Sequence, residues 1–315
     1  EADARAIQAG NDVAEFVINV EASINEIKNY INAKKIKPEE LSLKCRKIIA
    51  LKYWAGLSQK RKINPVDIDE DLSPSSSKAL IRNLYSNSLT VLNNNQNIIP
   101  IKNLDKIRIA TVAINRNTIT PFQVQIGKYH KADNYNIDLS DNEEAESILK
   151  KLDGYDIVMA GVYGLDQRPQ RGFWISTGLI SFFDKLTDNQ KTIVTWFGNP
   201  YGIAKIPSLE KADGLILAYQ ENTDTEELSG QLIFGGIGAR GSLPVTINNK
   251  WKSEFGIITP GNLRLQYGIP ESAGISSFSI NHKIDSIVNA ALEAQAFPGC
   301  VVMAARKGIV FFHKA

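Results

Sequence analysis

Four sets of residues in this sequence have types and spacings that can do chemistry. Gly236, Gly238 and Gly241 spell G-x-G-x-x-G, the loop that lets a pyrophosphate approach a helix N-terminus. Ser75 and Lys78 form S-x-x-K, in which a lysine on the same helix face activates a serine. Glu221 and Asp224 are two acids close in sequence, and retaining glycosidases work with two carboxyl groups about 5–5.5 Å apart. The fourth set recognises rather than reacts. Arg168, Arg171 and Trp174 share the stretch YGLDQRPQRGFWIS, and Asn199 lies in a second turn, GNP. Guanidinium groups bind hydroxyls and carboxylates, and an indole stacks on a sugar face.

Context gives each set a plainer reading as well. A dinucleotide loop follows a strand and opens a helix. Here the helical stretch TEELSGQLIFGG comes first and an apparent strand, LPVTI, follows. The three glycines are therefore expected to make a helix-to-strand turn without NAD. Ser75 to Ser77 lie in a serine-rich approach to a helix, where capping is the simpler role. Thr223 and Glu226 read as a T-x-x-E capping box, which accounts for the acids around Asp224. The arginine-tryptophan stretch reads equally as a surface loop with ordinary ion pairs and a partly buried indole. His130, His282 and His313 are too scattered for a metal site. Arg240 and the basic run SQKRK are expected to be solvated. Cys45 and Cys300 are far apart and read as free thiols. No cofactor is expected.

The elements that must position these residues fall into distinct segments. The 315 residues suffice for about two domains. A net charge of +2 argues against nucleic acid as the main partner. No apolar run approaches the roughly 18 residues of a membrane span. ADARAIQAG reads as a short helix ended at Gly10, DVAEFVI as a strand, and two helices follow. In the first, Val20, Ile24, Ile27 and Ile31 recur at helical spacing; the second starts at Pro38, carries Leu41, Ile48, Ile49, Leu51 and Tyr53, and stops at Gly56. Residues 58–78 are a polar linker rich in Ser, Pro and charge. A long amphipathic helix, SKALIRNLYSNSLTVLNN, opens the next segment. Apolar strands near 108–114, 156–163, 191–198 and 214–220 then alternate with helices. That alternation predicts a mostly parallel sheet covered on both faces. Its ligand-facing strand ends are Asn115, Tyr163-Gly164, Gly198-Asn199-Pro200 and Gln220-Glu221. Residues 247–272 read as irregular. A helix, FSINHKIDSIVNAALEAQ, and a hairpin about Lys307-Gly308 complete the chain.

Three stretches resemble glycoside hydrolase family 3. AIQAGNDV is similar to the strand entry near the end of that family's (β/α)8 barrel. ALIRNLYSNSLTVLNNNQNIIPI is similar to the entry of its second domain, and GLILAYQENTDTEELSGQLIFGGIGARGSLPVT to that domain's end. They come in family order, and within the family the details resemble the β-N-acetylhexosaminidase branch of Bacteroidetes-like bacteria. The last 50 or so residues, above all FPGCVVMAARKGIVFFHKA, resemble the first helix and hairpin of a serine β-lactamase-like domain.

The resemblance implies an α/β organisation in four parts. Residues 1–57 would be the last strand and helices of a barrel, and 58–78 a linker. Residues 79–258 would be a mostly parallel α/β/α sandwich, and 259–315 a linker with the start of a β-lactamase-like domain. The implied activity is retaining cleavage of N-acetylglucosamine from cell-wall or other glycans, in an exported bacterial protein. The resemblance puts the nucleophile and the acid/base before residue 1 and the serine nucleophile of the tail domain after residue 315, so no catalytic residue is assigned here. Asp12 would open a strand and is not the nucleophile. The substrate-proximal candidates are Arg168, Arg171, Trp174 and Asn199. The alternative is a non-catalytic module that braces the barrel or binds glycan or protein. Expected partners are a glycan, held through the barrel, and further copies joined through the incomplete ends, with no nucleic acid.

Overall fold

The first apolar periodicity of the chain forms helices without a strand. The computed structural model describes residues 1–59, 62, 65–139 and 142–315. It contains two compact units, Glu1–Ile68 and Asp69–Ala315. In the first unit, α1 (Ala2–Gln8), α2 (Val20–Asn32) and α3 (Pro38–Trp54) surround a small core of Ala4, Ile7, Tyr30 and Ile36. The Asn19 side chain caps α2 by accepting from the Ala22 N–H, and Pro38 occupies the first turn of α3. The stretch DVAEFVI is not a strand. Its backbone has no ladder, and Val13, Phe16 and Ile18 are exposed. A strand needs a neighbour to satisfy its N–H and C=O groups, and the described part of this unit has none. Asp12 instead pairs with Lys47 at 3.1 Å. In α3, Ile49, Leu51 and Tyr53 are exposed. Lys60 and Arg61 of the basic run lie outside the described residues.

Helix α4 (Ile68–Leu72) begins at the last residue of the first unit, and α5 (Ser75–Ser88) follows in the second. The end of the expected linker is thus helical. The α5 N-cap is Pro74, with no side-chain hydrogen bond, so the serines do not cap it. The helix expected to run through residue 94 stops at Ser88, and Thr90–Asn94 is β1. Leu89, Thr90, Val91 and Leu92 are all buried. Burial on both sides of consecutive residues suits a strand between two layers, not a one-faced helix.

The sheet continues through β2 (Ile109–Ile114), α6 (Pro121–Gly127), β3 (Ala132–Ile137), α7 (Asn142–Lys151), β4 (Ile157–Val162), α8 (Thr177–Asn189), β5 (Thr192–Trp196), α9 (Pro200–Ile203), β6 (Gly214–Leu217) and α10 (Thr223–Ile233). Strand order is β1-β6-β5-β4-β2-β3; all pairs are parallel except β1 with β6. Because side chains alternate across a strand, neighbouring residues feed opposite layers. Val158 and Val194 meet Phe182, Phe183 and Leu186 of α8, while Met159 and Ile193 meet Phe122 of α6 and Leu228 and Leu232 of α10. Each such fully buried side chain contributes about 1.5–3 kcal/mol. Helix α6, not among the expected elements, is opened by a complete capping box of Thr120 with Gln123 and by Pro121 in its first turn.

After α10 the chain does not enter a strand. LPVTI is irregular, so the glycines form a helix-to-loop exit. A Cβ on Gly238 would overlap the Thr259 carbonyl and lie 2.9 Å from the Gly261 nitrogen. One on Gly241 would overlap the Ser88 carbonyl and lie 2.6 Å from that of Leu89. These glycines permit backbone to pass backbone. Residues 259–268, expected as linker, are strapped to the sandwich. Tyr129 donates to the Leu265 carbonyl at 2.7 Å, the Gln231 amide exchanges two hydrogen bonds with the Tyr267 backbone, and Arg264 donates to the carbonyls of Ile101, Lys102 and Phe234. The strap leads to β7 (Gln266–Tyr267), α11 (Ser277–Glu293), β8 (Val302–Arg306) and β9 (Ile309–Lys314), with sheet order β7-β9-β8. Lys307 and Gly308, both at positive φ, turn the hairpin as expected.

Candidate functional site

The loop after β4 is built around one buried carboxylate. Asp166 accepts from the Arg168 backbone at 2.8 Å, from its Nε at 2.9 Å and from its Nη2 at 2.9 Å. Arg171 Nη1 reaches the same carboxylate only at 3.5 Å. The Arg168 hydrogen bonds hold the Asp166 carboxyl well below the usual range, at about 2. The loop then turns through Gly172, Phe173 and Trp174 at φ of 59, 58 and 56°. Two consecutive bulky residues in the left-handed region cost about 1–3 kcal/mol each. This backbone buries Phe173 and leaves Trp174 57% exposed. The Arg171 guanidinium lies 5.9 Å from the Trp174 ring centroid. Of the four expected residues, Arg168 and Arg171 are thus linked through Asp166, and Trp174 adjoins Arg171.

Asn199 has a different task. Its Oδ1 accepts from the Tyr201 N–H at 3.0 Å, capping α9, and its Nδ2 donates to the Gln167 carbonyl at 3.2 Å. Both ends of the amide are occupied, so Asn199 ties the β5 turn to the β4 loop.

The other strand ends form a second network. Asn115 Nδ2 donates to the Tyr163 carbonyl at 3.0 Å. Arg116 pairs with Glu221, whose other oxygen accepts from the Gly164 N–H at 2.8 Å. Glu221 and Asp224 are not a catalytic pair. Asp224 instead binds Arg82 at 2.7 Å, and Glu227 binds the same guanidinium at 2.7 Å. The α10 capping box is also displaced by one residue, to Asn222 and Thr225. Glu226, freed from capping, is buried and accepts from the Phe122 N–H at 3.4 Å and the Tyr163 hydroxyl at 3.2 Å. Burial raises its pKa. Asp166 and Arg116 were not singled out in the sequence, and Glu226 only as half of a T-x-x-E capping box. The D-x-R spacing of Asp166 and Arg168 was the one local signal; the other two partnerships join distant segments.

Among the described residues, no cluster of three or more His, Cys, Asp or Glu side chains is arranged to hold a metal, and no helix is long and apolar enough to cross a membrane. Cys45 and Cys300 are free thiols.

No protein-family model and no curated protein matches the sequence. Solved structures do. A glycoside hydrolase family 3 β-N-acetylglucosaminidase from Paenibacillus sp. str. FPU-7 aligns with 79% of this chain and 48% of its own, at 16% identity and a TM-score of 0.57. A fungal multi-domain GH3 β-N-acetylglucosaminidase aligns with 82% of this chain and 29% of its own, at 20% identity and a TM-score of 0.56. The fold is one that family 3 glycoside hydrolases share. A β-glucosidase from Listeria innocua, solved with glucose, aligns with 79% of this chain and 38% of its own, at 16% identity and a TM-score of 0.54. The chain spans less than half the length of each. The β-lactamase-like resemblance of residues 259–315 gains no support from these structures.

Proposed function

We propose that this chain is part of a retaining glycoside hydrolase of the family 3 type, acting on glycans that contain N-acetylglucosamine. In this reading residues 1–57 belong to the catalytic barrel, the sandwich braces it, and the nucleophile and acid/base lie outside residues 1–315. Residues 259–315 begin a β-lactamase-like domain, and the whole protein works in a bacterial cell envelope. The observation that carries the reading is the shared fold with a β-N-acetylglucosaminidase over 79% of the chain. The sandwich chemistry agrees with a bracing role: Glu221 and Asp224, the two acids close in sequence, are committed to Arg116 and Arg82.

The test uses a chromogenic N-acetylglucosaminide. Residues 1–315 alone should give no turnover, and the longer protein that contains them should give it. Turnover by residues 1–315 would refute the placement of the nucleophile. A longer protein that cleaves glucosides but not N-acetylglucosaminides would refute the substrate.

A further inference from the structure

We propose that the loop at residues 166–174 is a binding platform for a carboxylate-bearing saccharide, with Arg171 and Trp174 as its contact residues. The inference deepens the glycan reading above and rests on it.

Charge is the first argument. The loop has two guanidinium groups and one carboxylate. Asp166 is saturated by Arg168, which grips both of its oxygens and adds a backbone N–H. Arg171 is left with one 3.5 Å contact at the margin of that pair, and its side chain is about half exposed. A second guanidinium is unnecessary for neutralising Asp166. It presents a planar fork of donors to solvent, the geometry that grips a carboxylate through two parallel hydrogen bonds.

The indole is the second argument, and it is independent of charge. An exposed Trp forgoes the burial that normally rewards so large a side chain. Here the exposure is imposed by the backbone. The left-handed run at Gly172, Phe173 and Trp174 sends one aromatic ring inward and the next outward. The loop is braced on both sides. Asp166 donates its N–H to the Phe173 carbonyl at 3.1 Å, and Asn199 donates to the Gln167 carbonyl. An exposed aromatic face with a half-exposed guanidinium beside it, held only by a 3.5 Å contact to Asp166 and the 5.9 Å approach to the ring, suits a pyranose ring that stacks through its C–H face and carries a carboxylate at its edge. A neutral sugar would offer Arg171 only hydroxyl oxygens, without the stronger charge-assisted, bidentate pair that a carboxylate makes.

The test follows the indole N–H signals of residues 1–315 by nuclear magnetic resonance. Trp196 and Trp251 donate to the carbonyls of Asn199 and Leu92, so their signals report folding. The probes are a glucuronic acid–N-acetylglucosamine disaccharide, a 3-O-lactyl-N-acetylglucosamine, and neutral di-N-acetylchitobiose. The two acids separate a ring carboxylate from a lactyl carboxylate as its source. A saturable shift of Trp174 with either acid, at an affinity about tenfold above that for the neutral disaccharide, is expected. R171Q should remove that preference, and W174A should abolish binding, while the Trp196 and Trp251 signals stay in place. Equal affinity for neutral and acidic probes, no saturable shift with any probe, or an unchanged preference in R171Q would overturn the proposal. If the longer protein cleaves N-acetylglucosaminides while Trp174 stays silent, this inference fails and the glycosidase reading stands.

Discussion

At the scale of single residues, two carboxylates are shifted in opposite directions by opposite causes. Asp166 is pulled down to about 2 by the Arg168 hydrogen bonds. A depressed carboxyl contributes stability above its unfolded value of about 3.9, and that contribution is lost as pH falls through the folded value. The loop should therefore keep its order at pH 4 and loosen towards about pH 2. A carboxyl carbon titration of Asp166 with a midpoint near 4 would contradict the pairing. Glu226 is raised by burial, so its sign is reversed. The folded protein holds that proton more firmly than the unfolded chain, and stability is lost as pH rises through the folded value. Its two donors share one oxygen, Oε2. A glutamine can present its Oε1 there and keep both hydrogen bonds. E226Q is expected to be at least as stable as the parent at pH 7, with a flatter dependence of Tm on pH above the ordinary carboxylate range. A large loss of Tm in E226Q at pH 7 would show that the charge itself is needed.

At the scale of elements, the close approaches after α10 matter more than their glycine spacing. Gly238 lies against the backbone of residues 259–261, where neither side can yield as a flexible side chain would. G238A should cost about 1–3 kcal/mol, read by urea denaturation. NAD should leave the Tm of the parent unchanged, and stabilisation by NAD would restore the dinucleotide reading. The strap has its own hub. Arg82 is buried, binds Asp224 and Glu227, and donates to the Tyr267 carbonyl at 3.0 Å. Removing one partner of a buried pair costs about 3–5 kcal/mol. Both carboxylates here keep roughly a third of their exposure. R82M is accordingly expected to lose about 1–3 kcal/mol and to gain protease sensitivity within residues 262–268. An R82M variant as resistant as the parent would show that the strap is held elsewhere.

At the scale of the whole molecule, the two units differ in how much they bury. Glu1–Ile68 has four residues in its described core, whereas the six-stranded sheet of Asp69–Ala315 is filled on both faces. Local opening follows buried apolar contact. Limited proteolysis of residues 1–315 should cut within 1–68 first and leave a resistant fragment containing residues 89–247. Residues 1–68 surviving as long as the sheet, in a dilute monomer, would contradict that order. The apolar side chains of Phe16, Ile18, Tyr53 and Trp54 are exposed on the small unit, so association should rise with concentration. Sedimentation velocity across a concentration series measures it.

The sequence by itself determined the parallel sheet. Four apolar runs, each about one strand long and separated by helical periodicity, leave no other way to cover both faces, and β2, β4, β5 and β6 lie where they were expected. It also put Arg168, Arg171 and Trp174 in one connection between elements, where the structure has them within one loop. It could not separate α5 from β1. Leu89 to Leu92 are apolar in either conformation, and pairing with β6, more than 120 positions away, decided for a strand. The strand expected over DVAEFVI failed for the converse reason, since its pattern was adequate and its neighbour absent. Sequence distance also separates Arg82 from Asp224, by 142 positions, and Tyr163 from Glu226, by 63. A carboxylate is called a cap, a catalyst or a structural ion pair according to what lies beside it. For Asp224 and Glu226 that neighbour belongs to another part of the chain, and only the packed tertiary structure supplies it.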